Sequence, residues 1–76
     1  MIPSTIYWVD GTETVVYLSQ TDTQKLVETF LNGTADIVNV ENHPEGKYQK
    51  FFFHIRIESI KSILEGFAQK KCWFGK

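Results

Sequence analysis

Thr5-Ile6-Tyr7-Trp8-Val9-Asp10-Gly11-Thr12-Glu13-Thr14-Val15-Val16-Tyr17-Leu18 is the stretch that decides the fold class. Two runs rich in β-branched and aromatic residues flank Asp10-Gly11, the preferred two-residue hairpin turn, so the chain is expected to open with a β-hairpin. A two-residue loop pairs Val9 with Thr12. That register puts Tyr7, Val9, Val16 and Leu18 on one face and Ile6, Trp8, Val15 and Tyr17 on the other. Both faces then read as apolar, which predicts a cover on each, from another element or a second subunit.

Downstream, Thr21-Asp22-Thr23-Gln24 fits a capping box, and Leu26, Val27, Phe30 and Leu31 form an apolar stripe at helical spacing. A helix is expected over about residues 22–32, with Asn32-Gly33 as its left-handed stop. The same stop accounts for Asn32-Gly33-Thr34, which also matches a glycosylation triplet. Residues 35–41 read as a short strand, 42–46 as a turn and 47–57 as the longest strand. In that strand Phe51, Phe53, Ile55 and Ile57 share one face, and Tyr48, Lys50, Phe52, His54 and Arg56 share the other. Ile60, Ile63, Leu64 and Phe67 then recur at i, i+3, i+4 and i+7, predicting an amphipathic helix that ends near Gly66. The competing reading makes residues 58–60 a tight turn into a further strand. Residues 70–76 read as a basic-aromatic tail, either mobile or docked on its own domain, a sister subunit or a partner, with helix, strand and flexible arm all open for residues 59–76. The predicted architecture is α+β, one domain over residues 1–76, with a small antiparallel sheet in ββαββα order.

The 76 residues limit the core, since a domain near this size buries only about 60% of the surface its unfolded chain exposes. Cys72 is the only cysteine, which rules out an intrachain disulfide and any Cys-x-x-Cys zinc pair. Packing or a second subunit is therefore the expected source of stability, and a homodimer the expected assembly. The first residues lack the basic flank and apolar run of a signal peptide, and no stretch approaches the ~20 apolar residues of a membrane span. A cytoplasmic protein with no membrane contact is expected.

The net charge of −1 conceals an asymmetry. Residues 1–46 hold seven acids against Lys25, a balance of −6; residues 47–76 hold seven bases against Glu58 and Glu65, a balance of +5; the sum is −1. Such a split suits a polyanion-binding surface, or complementary patches that meet within or between chains.

Catalytic signatures are absent from the sequence. The five glycines stand far apart, so no phosphate-cradling loop forms, and there is no G-x-S-x-G elbow. Cys72 lacks a positioned base, and His43 and His54 have no companions at metal-ligand spacing. Neither catalysis, a metal nor a cofactor is expected.

Binding surfaces remain. Tyr48, Lys50, Phe52, His54 and Arg56 alternate aromatic and basic groups along one strand face, an arrangement that lets bases stack while cations meet phosphates. The run Phe51-Phe52-Phe53 resembles the aromatic strand of RNA-recognition motifs. The glycines of that strand are missing here and the chain is short for βαββαβ order, so that family is not assigned. The plainer expectation is that the C-terminal helix covers Tyr48 and Phe52 while Lys50 and Arg56 snorkel around them. Trp8, Tyr17, Trp73 and Phe74 are the candidates for a protein interface, because large aromatics concentrate binding energy. The leading expectation is a non-enzymatic protein–protein interaction module, of the accessory or inhibitory kind carried by phages and mobile elements. The alternative is a nucleic-acid or nucleotide-ligand binder using residues 48–56.

Overall fold

Gly11, at φ 93°, sets the register of the first hairpin in the computed structural model of the chain. Its N–H donates to the Trp8 carbonyl (3.1 Å), and the Trp8 N–H donates to the Thr12 carbonyl (2.9 Å). The loop is therefore three residues, 9–11, with the glycine in the left-handed position that this longer turn requires. Asp10 Oδ1 holds it shut, accepting from the Thr12 amide (2.9 Å) and the Thr12 hydroxyl (2.6 Å). The Val9 N–H, which a two-residue loop would commit to Thr12, donates instead to the Ser59 carbonyl (2.9 Å). Ile6 consequently faces Thr14 and Tyr7 faces Glu13. The expected Val9–Thr12 pairing is thus corrected by one residue, and a slip of one exchanges the faces of one strand relative to the other. Ile6, Trp8, Thr14, Val16 and Leu18 share the inner face; Thr5, Tyr7, Val15 and Tyr17 share the outer one.

The structure describes residues 1–44, 50–67 and 70–75. They form β1 (Ile2–Trp8), β2 (Glu13–Leu18), α1 (Gln20–Asn32), β3 (Ile37–Asn42), β4 (Phe51–Arg56), a one-turn 3-10 helix (Ile57–Ser59), β5 (Ile60–Phe67) and β6 (Lys70–Gly75). The strands make two antiparallel sheets, one of order β2-β1-β5-β6 and one of β3-β4. The α+β class holds. The order ββαββα does not: the only helix of more than one turn among the described residues is the central one, and the described chain closes on two strands.

The C-terminal helix is corrected to β5, and the reason lies in a bulge. Register shifts between Tyr7 and Trp8, so that Tyr7 pairs with Ser62 and Trp8 with Ile60, leaving Lys61 as the extra residue. Ile60 and Ile63 then both reach the core although they are three apart, a helical spacing produced by an irregular strand. Residues 70–75, for which the sequence leaves a mobile or a docked tail open, pair with β5, Leu64 facing Trp73 and Ile63 facing Phe74.

The central helix starts two residues earlier than its sequence signature suggests. Ser19 is the cap, its Oγ accepting from the Asp22 amide (3.1 Å), while Thr23 Oγ1 donates to the Ser19 carbonyl (2.8 Å). Asp22 is engaged elsewhere, accepting from the Glu41 amide (3.0 Å) and so tying the helix to β3. Gly33 ends the helix at φ 64°, its N–H on the Thr29 carbonyl, as the Asn32-Gly33 pair predicts. Leu26, Val27 and Phe30 are buried, but Leu31 is exposed.

β3 and β4 pair Val38 with Ile55 and Val40 with Phe53, and those residues meet the helix and the inner face of the larger sheet in one core around Ile6, Leu18, Phe30 and Ile63. Side-chain and backbone hydrogen bonds join the sheets at one corner, where β2 meets the end of β3. The Tyr17 amide donates to Asn42 Oδ1 (2.8 Å), and the His43 amide donates to the Tyr17 carbonyl (2.8 Å). Buried Asn42 thereby occupies the free edge of β2 with a side chain instead of another strand.

Both the corner and the turn can be probed by single substitutions. Asn42→Ala leaves the part-buried Tyr17 amide without its partner and should cost about 1–2 kcal/mol, the lower part of the range for an orphaned donor, in denaturant unfolding; a cost below about 0.5 kcal/mol would show that the corner is not fixed by this contact. The Thr12 hydroxyl, and after it the Thr12 amide, hold the Asp10 carboxyl below its ordinary 3.8. A depressed folded value means that its stabilisation is complete above 3.8 and disappears as pH falls through the lower folded value. Asp10→Ala should therefore melt below the parent at neutral pH, with the gap closing in acid; a gap independent of pH would contradict the role of the ionised carboxylate.

Candidate functional site

The alternating strand face expected to bind polyanions is open to solvent. Lys50, Phe52, His54 and Arg56 are exposed on the outer side of the β3-β4 sheet, Phe52 retaining 71% of its surface; Tyr48 lies outside the described residues. No helix covers this face among the described residues, because the segment expected to do so is β5, which corrects the covered reading. The cations are committed locally. Lys50 Nζ lies 3.7 Å from Glu41, which also meets His43 Nε2 at 3.2 Å, and Arg56 meets Glu58 at 3.4 Å. His54 Nδ1 meets the Asn39 side-chain carbonyl on the facing strand. Two cations, Lys50 and Arg56, thus sit against two carboxylates, Glu41 and Glu58. Here the acidic and basic halves of the chain meet: Glu41 belongs to the first and Lys50 to the second.

The four aromatic interface candidates divide between the two sides of the larger sheet. Trp8 and Phe74 point inward and pack, partly buried, against the core, and the Trp8 indole N–H donates to Thr14 Oγ1 (2.9 Å). Neither presents its ring on the outer face. Tyr17 and Trp73 are on the outer side, and Trp73 keeps 63% of its surface exposed. The indole stacks on Tyr7, with ring centroids 5.3 Å apart and planes at 24°. It reaches that ring across β5 because the residue opposite Tyr7 there is Ser62, too small to intervene.

Tyr7 is the functional candidate that sequence reasoning missed. Its place opposite Glu13 follows from the three-residue turn, and the available signal was the Asp10-Gly11-Thr12 chemistry that closes that turn. Beside the stack runs a groove of 320 Å³ lined by residues that include Tyr7, Gly11, Lys61, Ser62 and Trp73. The outer face as a whole carries Thr5 and Tyr7 on β1, Val15 and Tyr17 on β2, Leu64 on β5 and Trp73 on β6. The helix packs on the opposite side, and no described element covers this one.

Elsewhere the chemistry is sparse. Cys72 is exposed and pairs across strands with Glu65, and no group of three or more metal-ligating side chains occurs among the described residues. A smaller crevice of 190 Å³ opens between the two sheets at Trp8, Thr14, Phe53 and His54. No described helix is long and apolar enough to cross a membrane. Comparison of the chain with models of known protein families, with curated proteins and with solved structures finds no match in any of the three.

Proposed function

We propose that the protein is a non-enzymatic protein-binding module that docks a partner through the outer face of its four-stranded sheet. The observation that carries this reading is the Tyr7–Trp73 stack on an uncovered sheet face. Tyr and Trp are the side chains most enriched where binding energy concentrates, and here both rings stand on paired strands, so little conformational entropy remains to be lost on docking. The surroundings suit a protein surface: Thr5, Val15, Tyr17 and Leu64 are uncharged, Glu13 brings charge at the Tyr7 end, and Lys71 stands opposite Gly66 at the other. An accessory or inhibitory role, such as phages and mobile elements encode, fits a small module with one organised aromatic face. The compartment proposed is the cytoplasm, in keeping with a single unpaired cysteine.

The second reading, a nucleic-acid or nucleotide binder, draws on the exposure of Phe52 among Lys50, His54 and Arg56. Against it stand Glu41 and Glu58, which a phosphate would have to displace. One experiment separates the two. Full-length protein is immobilised, and retention of an interacting protein is measured for Trp73→Ser and Tyr7→Ser, and for Lys50→Ala with Arg56→Ala. The aromatic changes should weaken retention at least about 30-fold, as loss of a binding hot spot does. The charge changes should leave it within about twofold, as expected of charges away from the interface. A labelled single-stranded oligonucleotide should show no salt-dependent affinity. Oligonucleotide binding that falls steeply with salt and is lost in Lys50→Ala would reverse the order of the two readings. Trp73 is exposed and Tyr7 only partly buried, so circular dichroism of the variants should stay that of the parent.

A further inference from the structure

The outer sheet face is complementary to itself. β1 runs between β2 and β5, and their outward residues lie at matching heights: Tyr7 is flanked by Glu13 on β2 and by Ser62 on β5, and Thr5 by Val15 and Leu64. At the far end, Pro3 faces Tyr17, while Gly66 follows the Ser4–Glu65 pair on β5. The bulge brings Lys61 to the Tyr7 side of the sheet, where it lines the same groove as Trp73. Each row thus sets an acid against a base, a branched apolar residue against another, and a large ring against a glycine. No ion pair among the described residues engages either Glu13 or Lys61.

From this pattern we infer that the occupant of the outer face is a second copy of this chain, docked face to face about a twofold axis lying along β1. The inference rests on the reading of this face as a docking surface and names its partner. Rotation about that axis lays β2 of one copy over β5 of the other, twice. Glu13 then meets Lys61 of the second copy, Val15 meets its Leu64, and Tyr17 projects over its Gly66, which carries no side chain of its own. The two Tyr7 rings meet near the axis, and each Trp73 indole lies over the β2 trough of the other copy, against Val15. An axis tilted by about 15° from β1 gives the crossing of roughly 30° at which twisted sheets pack.

The size of the face sets the strength. Four strands at ~4.8 Å and about six residues at ~3.4 Å give a footprint of roughly 19 by 20 Å, small beside the ~800 Å² per partner of a standard interface. A dimer in rapid exchange with a micromolar dissociation constant is the consequence.

The test is sedimentation velocity on the full chain from about 5 to about 200 µM, a range that brackets micromolar association. Glu13 and Lys61 are both exposed, so reversing either leaves the fold intact, which the circular dichroism spectrum checks. The parent should shift from monomer to dimer across the range. Glu13→Lys alone and Lys61→Glu alone should each weaken the dimer at least about tenfold, since twofold symmetry places every reversal in two contacts. An equimolar mixture of the two variants restores both pairs in a heterodimer, and the double variant restores them in a homodimer. Both should return to within about threefold of the parent. A parent that stays monomeric throughout, or a dimer indifferent to both reversals, overturns the inference. A monomer that still loses a foreign partner on Trp73→Ser leaves the docking face standing with a different occupant; a monomer whose binding ignores Trp73 removes both.

Discussion

The hydrogen bond from the Trp8 amide to the Thr12 carbonyl decides which side chains this protein hides and which it presents. It commits the first hairpin to a three-residue loop. Side chains alternate along a strand, so that choice turns Trp8 inward with Ile6 and Val16 and leaves Tyr7 outward with Val15 and Tyr17. A loop one residue shorter would put Trp8 beside Val15 and Tyr17. Several independent groups hold the longer loop: the Asp10 carboxylate on Thr12, the left-handed Gly11 and the Val9 amide drawn to Ser59. The last of these couples the hairpin to the 3-10 turn that redirects the chain from β4 into β5.

Much of the architecture is legible in the amino-acid sequence, and the exceptions share one cause. Hairpin, central helix, Gly33 stop and the inward placing of Phe53, Ile55 and Ile57 follow from propensity and period, although Phe51, at the start of the same face, is exposed. The register of β1-β2 and the identity of β5 do not, because each depends on one extra residue. Asp10-Gly11 serves a two-residue turn as readily as the end of a three-residue one, and the choice lies with Thr12 and the distant Ser59 carbonyl. Ile60 and Ile63 show helical spacing, yet the bulge at Lys61 produces that spacing in a strand. Likewise Thr21 offers a capping hydroxyl, but Ser19, two residues earlier, takes the role while Asp22 reaches across to β3. Local pattern is ambiguous at each place, and a long-range contact makes the choice.

The candidate surfaces divide in the same way. Exposure of Phe52 and Lys50 follows from strand alternation once no described helix covers them, and Glu41 and Glu58 set a carboxylate beside each of the cations Lys50 and Arg56. The outer-face aromatic pair is only half legible. Trp73 stands out as a costly exposed ring, whereas Tyr7 acquires its place from the register and its partner from the smallness of Ser62. Stacking of this kind is worth about 0.5–1.5 kcal/mol beyond the area it covers, enough to hold the indole in place on an edge strand. One face of a four-stranded sheet is thereby spent on the core and the other left organised and uncovered by any described element, which is the structural basis of the binding role proposed here.

The most direct measurement of this register is a nuclear Overhauser map of the first hairpin and its neighbours in solution. The three-residue loop predicts cross-strand contacts of Ile6 with Thr14 and of Thr5 with Val15, the Trp8 indole proton beside Thr14, and the Tyr7 ring against Trp73. Contacts of Val9 with Thr12 and of Trp8 with Glu13, with the Trp8 ring out beside Val15, would contradict it, because the uncovered face would then carry a different set of side chains.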